Sequence, residues 1–181
     1  MLTRATPFAI AVALALAPSG LARAQDAAKD ASKDKSEAAC DHFAWPIARE
    51  KAWFAAKLPS TPSGERVAKS DEGILLALKP TKTFDFFLAP ERKPKPDSFS
   101  GDIVIFGVPT PGLYQITLSD EAWIDVFENG VRLKSSAFTG QADCPGVRKS
   151  VRFDLAPGAP VTIQISNSAK DAIKLAIAPA S

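Results

Sequence analysis

In 181 residues the chain has one histidine, His42, and two cysteines, Cys40 and Cys144. Each shortage closes off a class of chemistry. A Ser-His-Asp triad would have to recruit His42, and no Gly-x-Ser-x-Gly turn is present to expose a nucleophile. Structural zinc takes four ligands, mostly as closely spaced Cys or His pairs, and two isolated thiols with one imidazole do not supply them. A non-haem iron oxygenase needs two histidines and a carboxylate. No cofactor motif stands out, so neither a metal nor a cofactor is expected. General acid–base chemistry is left to the carboxylates.

Long apolar runs are also missing, with one exception at the start. Arg4 precedes an unbroken apolar stretch over 8–17, Pro18-Ser19-Gly20 breaks it, and Ala22-Arg23-Ala24 is a small-x-small cleavage site before Gln25. The stretch is shorter than the roughly 20 residues a membrane-spanning helix takes. Residues 1–24 therefore read as a signal peptide, and the expected location is periplasmic or secreted. No cysteine follows the cleavage site, so no lipid anchor is expected, and no later segment is apolar enough to cross a bilayer as a helix. Loss of Arg4 and Arg23 leaves 20 basic and 20 acidic residues. A balanced chain lacks the surplus of Lys and Arg on which nucleic-acid affinity rests, so no nucleic-acid partner is expected.

Export bears directly on the two cysteines. In an oxidising compartment an even pair usually forms a disulfide. A Cys40–Cys144 bond would close a loop of about 100 residues, worth about 4–5 kcal/mol in loop-closure entropy. Two buried free thiols are the alternative.

Behind the signal, residues 25–39 are charged and small, with no large apolar side chain. They read as a disordered linker. Residues 40–181 read as one domain. A helix is expected over about 46–57, with Asp41 near its cap, Pro46 in its first turn, and Ile47, Lys51, Phe54 and Leu58 along one stripe. Strands are expected at 73–79, 83–88, 102–108, 113–119, 122–128, 131–135, 147–155, 161–166 and 172–178. Alternation puts Tyr114, Ile116 and Leu118 inside with Gln115, Thr117 and Ser119 outside. Val151, Phe153 and Leu155 face in, as do Val161, Ile163 and Ile165, leaving Thr162, Gln164 and Ser166 outside. Asn129-Gly130 between two strand runs is a strong hairpin signal, because both turn positions favour positive φ. The expected fold is mainly β: an antiparallel, jelly-roll-like β-sandwich with one N-terminal helix stapled to it through Cys144. The basic, proline-rich run 89–97 reads as a solvated connector, or as a docking sequence for an acidic partner.

The candidate ligand-binding residues are Trp123, Asp125, Arg148 and Arg152. Asp125 shares a strand face with Trp123 and Phe127, an acid among aromatics, as on sugar-binding surfaces. Asp120, Glu121 and Glu128 lie nearby, so a pair of carboxylates for hydrolysis is a second possibility. The aromatic residues also fit an ordinary sandwich core. Arg148 and Arg152 are four apart on one strand and hence on one side. With Arg132 they suit an anion or acidic polymer, unless cross-strand pairs with Asp154 or Glu128 consume them.

The segments Gly112-Leu113-Tyr114-Gln115-Ile116-Thr117-Leu118, Trp123-Ile124-Asp125-Val126, Asn129-Gly130 and Arg148-Lys149-Ser150-Val151-Arg152-Phe153, with Cys40-Asp41-His42-Phe43-Ala44-Trp45-Pro46 ahead of them, resemble an uncharacterised family of small exported bacterial proteins. Some of that family carry the name homogentisate dioxygenase. The likeness covers most of the mature chain. The C-terminal half is also similar in pattern to bacterial pre-peptidase C-terminal domains, accessory β-sandwiches of secreted enzymes. The resemblances imply export and a sandwich fold. They carry over no catalytic residue, since His42 alone cannot build the oxygenase's iron site.

Together these readings lead to an exported, non-enzymatic binding or accessory module, with carbohydrate or another cell-envelope component, including an envelope protein, as its partner. A carboxylate-dependent hydrolase centred on Asp125 is the first alternative. A structural or assembly factor of the envelope, docking through the helix after Cys40, is the second. The export reading has a direct test. Intact-mass measurement of the protein recovered after export should give a chain beginning at Gln25, and retention of residues 1–24 would contradict it.

Overall fold

Strand alternation of the kind read above sorts the chain into two sheets that face each other. The computed structural model describes residues 38–67 and 71–181. The expected signal peptide, 1–24, and all but the last two residues of the expected linker, 25–39, lie outside the described residues. Residues 38–40 are helical, so regular structure is present just before and at Cys40.

The elements in chain order are α1 (Ala48–Ala55), β1 (Ser60–Pro62), β2 (Glu65–Val67), β3 (Glu72–Ala77), β4 (Lys79–Pro80), a 3-10 turn (Thr81–Thr83), β5 (Phe99–Ile105), β6 (Gly112–Leu118), β7 (Trp123–Glu128), β8 (Val131–Arg132), β9 (Ala137–Gly140), β10 (Lys149–Leu155), β11 (Val161–Ser168) and β12 (Ala172–Pro179). One sheet has the order β1-β3-β12-β6-β10-β9, the other β2-β5-β11-β7-β8, with β4 beside β5. Pairing is antiparallel except at two short edges, β1 on β3 and β2 on β5, which run parallel.

The facing sides hold the core. Ile116, Leu118, Phe153, Leu175 and Ile177 from the first sheet meet Ile103, Ile105, Val126, Val161, Ile163 and Ile165 from the second, all buried. Each fully buried side chain of this size stabilises by roughly 1.5–3 kcal/mol relative to exposure. The β7–β8 hairpin turns on Asn129 and Gly130 with φ of 50° and 77°, the left-handed pair a two-residue turn requires.

The outer sides differ from expectation. Gln115, Thr117, Ser150, Gln164 and Ser166 are wholly buried rather than solvated. The physical reason is a cover on each sheet. Over the first sheet lies the segment that begins at Cys40. The Cys40–Cys144 disulfide holds it, and Phe43, Trp45, Ile47 and Phe54 pack there with Val147 and Ala176. Gly73 of β3 leaves the room: a Cβ there would sit 3.1–3.2 Å from Leu58 and Trp53. Polar contacts complete the cover. Trp45 Nε1 donates to Ser150 Oγ at 3.2 Å, and Gln115 Nε2 donates to Glu50 Oε1 at 2.8 Å.

Over the second sheet lies segment 84–97. Residues 83–88, expected as a strand, are the end of the 3-10 turn and irregular chain. Pro80 and Pro90 bracket them, and Phe84 and Phe86 stack edge to face at 4.8 Å. The proline-rich run 89–97 is mostly exposed, as expected of a solvated connector, but segment 84–97 does not hang free. Its backbone is pinned to the sheet: Gln164 Nε2 donates to Leu88 O at 3.1 Å, and Lys95 N donates to Asn167 Oδ1 at 2.7 Å.

The helix starts later than expected. Ile47 caps it without a side-chain hydrogen bond, and Pro46 precedes the cap. Its buried pair is Glu50 and Phe54, with Glu50 taking the inward place expected of Lys51, because Gln115 of β6 and Arg49 supply its hydrogen bonds at 2.8 Å each.

The disulfide is the covalent tie of the first cover. The double variant Cys40→Ala, Cys144→Ala should unfold at a distinctly lower urea midpoint, with a loss of about 4 kcal/mol. An unchanged midpoint would show that the cover stays in place by packing alone.

Candidate functional site

Both sheets end on the same side in short strands, β8 in one and β9 in the other. The chain crosses between them through Leu133, Lys134, Ser135 and Ser136. Two and four residues of edge strand do not roof the interior there, and a cavity of about 710 Å³ opens between β7 and β10. Its wall mixes three kinds of group. Apolar surface comes from Ile124, Val151, Phe153, Leu133 and Phe138; cations are Arg92, Arg132, Lys134 and Lys149; carboxylates are Glu91 and Asp125. Phe138 is 78% exposed at this cavity, a position its sequence context explains only through the cavity.

The four residues expected to bind ligand separate into two pairs. Trp123 and Asp125 line the cavity. Arg148 and Arg152 do not. Arg148 pairs with Glu121 at 2.6 Å. Arg152 lies 4.1 Å over the Trp45 ring and donates to Ser181 O at 2.7 Å and Gln115 Oε1 at 3.3 Å. They share a side of their strand but serve different neighbours, so the expected patch of Arg132, Arg148 and Arg152 does not assemble. The acids expected as their cross-strand partners are engaged elsewhere: Glu128 accepts from Ala156 N, and Asp154 from Ser136 Oγ.

Asp125 is the most constrained group at the cavity. Its side chain is 1% exposed and faces Arg132 Nε at 3.3 Å. Glu91 N donates to both its oxygens, at 3.3 and 3.4 Å. Arg132 also donates to Ala89 O, so one arginine ties β8, Asp125 and the segment over the sheet together. Burial pushes the Asp125 carboxyl above its ordinary range, while the Glu91 amide, Arg132 and the Trp123 indole pull the other way. Trp123 Nε1 is itself buried without a well-formed hydrogen bond.

Lys149 is the residue the pattern could have revealed. Positions 149, 151, 153 and 155 alternate onto the inner face of β10, so a lysine opens an apolar row. Its ammonium donates to Ala122 O at 2.8 Å, sits 3.6 Å from Glu121 and lies 5.7 Å from the centre of the Trp123 ring. Burial holds it below the usual lysine range; Glu121 opposes this, and Arg148 and Arg92 add to it. Arg92 lies 4.7 Å over the same indole. Nothing in the local sequence marks Arg92 off from the other basic residues of the proline-rich run. Its role comes from where segment 84–97 is pinned.

Elsewhere, Asp120 pairs with Lys170 and accepts from Ser119 Oγ at 2.6 Å. Among the described residues no three His, Cys, Asp or Glu side chains converge as metal ligands, and no helix is long and apolar enough to cross a membrane. No protein-family model, curated protein or solved structure matches the chain.

The raised Asp125 carboxyl has a sign that can be checked. The folded protein holds this proton more tightly than the unfolded chain, so the group adds stability at low pH and loses it as pH rises through the raised value. The stability of Asp125→Asn minus that of the wild type should therefore climb between roughly pH 3 and pH 7. A flat difference in urea midpoints across that range would refute the shift.

Proposed function

We propose that the protein is an exported, non-enzymatic β-sandwich module that binds a carbohydrate or another cell-envelope component in the cavity between β7 and β10. The observation that carries this is the cavity itself: about 710 Å³, with Trp123 and Asp125 in its wall. That is within the roughly 300–1,000 Å³ range of small-molecule sites. The disulfide supports a location outside the cytoplasm, since such bonds persist in oxidising compartments. The strand order β3-β12-β6-β10 against β5-β11-β7-β8 supports a jelly-roll course for the sandwich.

The hydrolase reading draws on two facts, the raised Asp125 carboxyl and a second carboxylate, Glu91, at the same cavity. Against it, Asp125 is shielded and both of its oxygens already accept hydrogen bonds. A nucleophile or proton donor has to reach its substrate. The assembly-factor reading needs a free apolar helix face. Phe54 is turned to the sheet, and the exposed positions of α1 are Ala48, Ala52 and Ala55.

Tryptophan fluorescence and thermal-shift screening of the mature protein against envelope glycans and lipid-like compounds tests the reading. A true ligand should raise the melting temperature, and Phe138→Ala should weaken it by about tenfold, or 1.4 kcal/mol, while leaving the unliganded melting point unchanged. Binding indifferent to Phe138 would place the ligand elsewhere. Turnover of ester or glycoside substrates that disappears in Asp125→Asn would favour the hydrolase.

A further inference from the structure

The cavity wall is not electrically balanced. Asp125 and Arg132 face each other and cancel. That leaves Arg92, Lys134 and Lys149 against Glu91. The nearest acid to Lys149 is Glu121, outside the wall, and Arg148 holds it at 2.6 Å against 3.6 Å for Lys149. One carboxylate thus serves two cations. Arg92 has no hydrogen-bond acceptor and no ion-pair partner among the described residues, and it lies over the face of Trp123. A guanidinium carries five donors in a planar fork suited to carboxylate or phosphate.

Two cations on one indole repel each other. Cation–π attraction to the ring face offsets part of this for each. Burial works against the charge on Lys149 most strongly, Glu121 supports it, and Arg148 and Arg92 add smaller repulsions. An anion between Arg92 and Lys149 would relieve this repulsion and use the unfilled donors of both. The same two cations exclude a common alternative. Neutral sugars recognised by a sandwich surface stack on an open aromatic face, and the Trp123 ring already carries Arg92 and Lys149. The open aromatic ring is Phe138, and it stands beside aliphatic and aromatic groups, Val151 and Phe153, with few polar atoms for a sugar's hydroxyls.

We propose that the cavity takes an organic anion with an apolar body, its carboxylate, sulfate or phosphate bridging Arg92 and Lys149 beside Trp123 and its body lying against Phe138, Val151 and Phe153. The inference rests on the cavity being the binding site and narrows what enters it. The shared chemistry is one anionic head on an apolar body. An acyl chain and an aromatic ring system are its two sources.

Four probes separate the outcomes: decanoate, 2-naphthoate, decanamide and tri-galacturonate, each titrated into the mature protein by calorimetry and tryptophan fluorescence at low and high salt. Decanoate or 2-naphthoate should bind at least tenfold more tightly than decanamide, with affinity that falls as salt rises. Arg92→Ala and Lys149→Gln should each cost about tenfold. The Arg92 side chain is exposed and makes no hydrogen bond among the described residues, and circular-dichroism melts of both variants control for folding. The stronger of the two anions identifies acyl or aryl as the source. Decanamide binding as well as decanoate overturns the anionic head. Tri-galacturonate binding while both amphiphiles fail overturns the apolar body but keeps a glycan-binding module. Failure of all four probes overturns the proposal, and a Phe138-dependent hit in the broader screen would still uphold the module.

Discussion

A polar side chain withdrawn from water must find a partner or cost about 1–3 kcal/mol, and this protein withdraws a row of them on the outside of each sheet. Gln115, Thr117 and Ser150 lie under the segment that starts at Cys40, and Gln164 and Ser166 under segment 84–97. The covers are therefore more than wrapping. Each brings backbone carbonyls, amides and side chains to groups that would otherwise be solvated. On the first sheet the match is close: Trp45, Ser150 and Thr117 form a chain of hydrogen bonds, and Glu50 meets Gln115. Even there two atoms, Glu50 Oε2 and Arg152 Nε, are left over among the described residues. On the second sheet the match is looser. Among the described residues Gln164 Oε1, Ser166 Oγ and Asn167 Nδ2 are buried without hydrogen-bond partners, and Trp123 Nε1 has no well-formed one.

The asymmetry between the covers follows from what holds them. The first is tied by a covalent bond and packs an apolar cluster. The second is held by backbone hydrogen bonds, by Arg132 and by the edge contact of Phe87 with Phe127 at 5.5 Å, while Phe87 and Leu88 remain about half exposed. The cavity lies beside the looser cover. Arg92 belongs to that cover and Trp123 to the sheet beneath it, so the geometry of the cation on the indole depends on the second cover keeping its place.

Much of this was legible in the chain. Period-two alternation placed Tyr114, Ile116, Leu118, Phe153 and Ile163 inside, where they are, and Asn129-Gly130 marked its hairpin. What alternation could not say is whether an outward face meets water. Gln115 and Gln164 look solvated in any two-state pattern of in and out, and only tertiary covers bury them. The short edges β1, β2 and β9 carry too few residues for a periodic signal. Trp123 and Asp125 were recognisable as an acid beside an aromatic residue on one strand face. Arg148 and Arg152 misled because sharing a side of a strand does not give two residues a common neighbour. Lys149 was visible as a charge in an inward row, whereas Arg92 acquires its place from a segment whose docking no local pattern encodes.

The strand order carries one more consequence. The middle of each sheet is filled by a late strand: β12 lies between β3 and β6, and β11 between β5 and β7. Until residues 161–179 are available, β3 has no partner in β6 and β5 none in β7, because the spaces between them are unfilled. The early β7–β8 hairpin supplies only one edge of its sheet, and the central neighbour of β7 arrives with β11. Every central pairing spans a long stretch of sequence, a topology that folds slowly because loop closure precedes its reward. The molecule assembles around its own ending: the final two strands act as paired keystones, and the arch on either side of them stands only once both have been set.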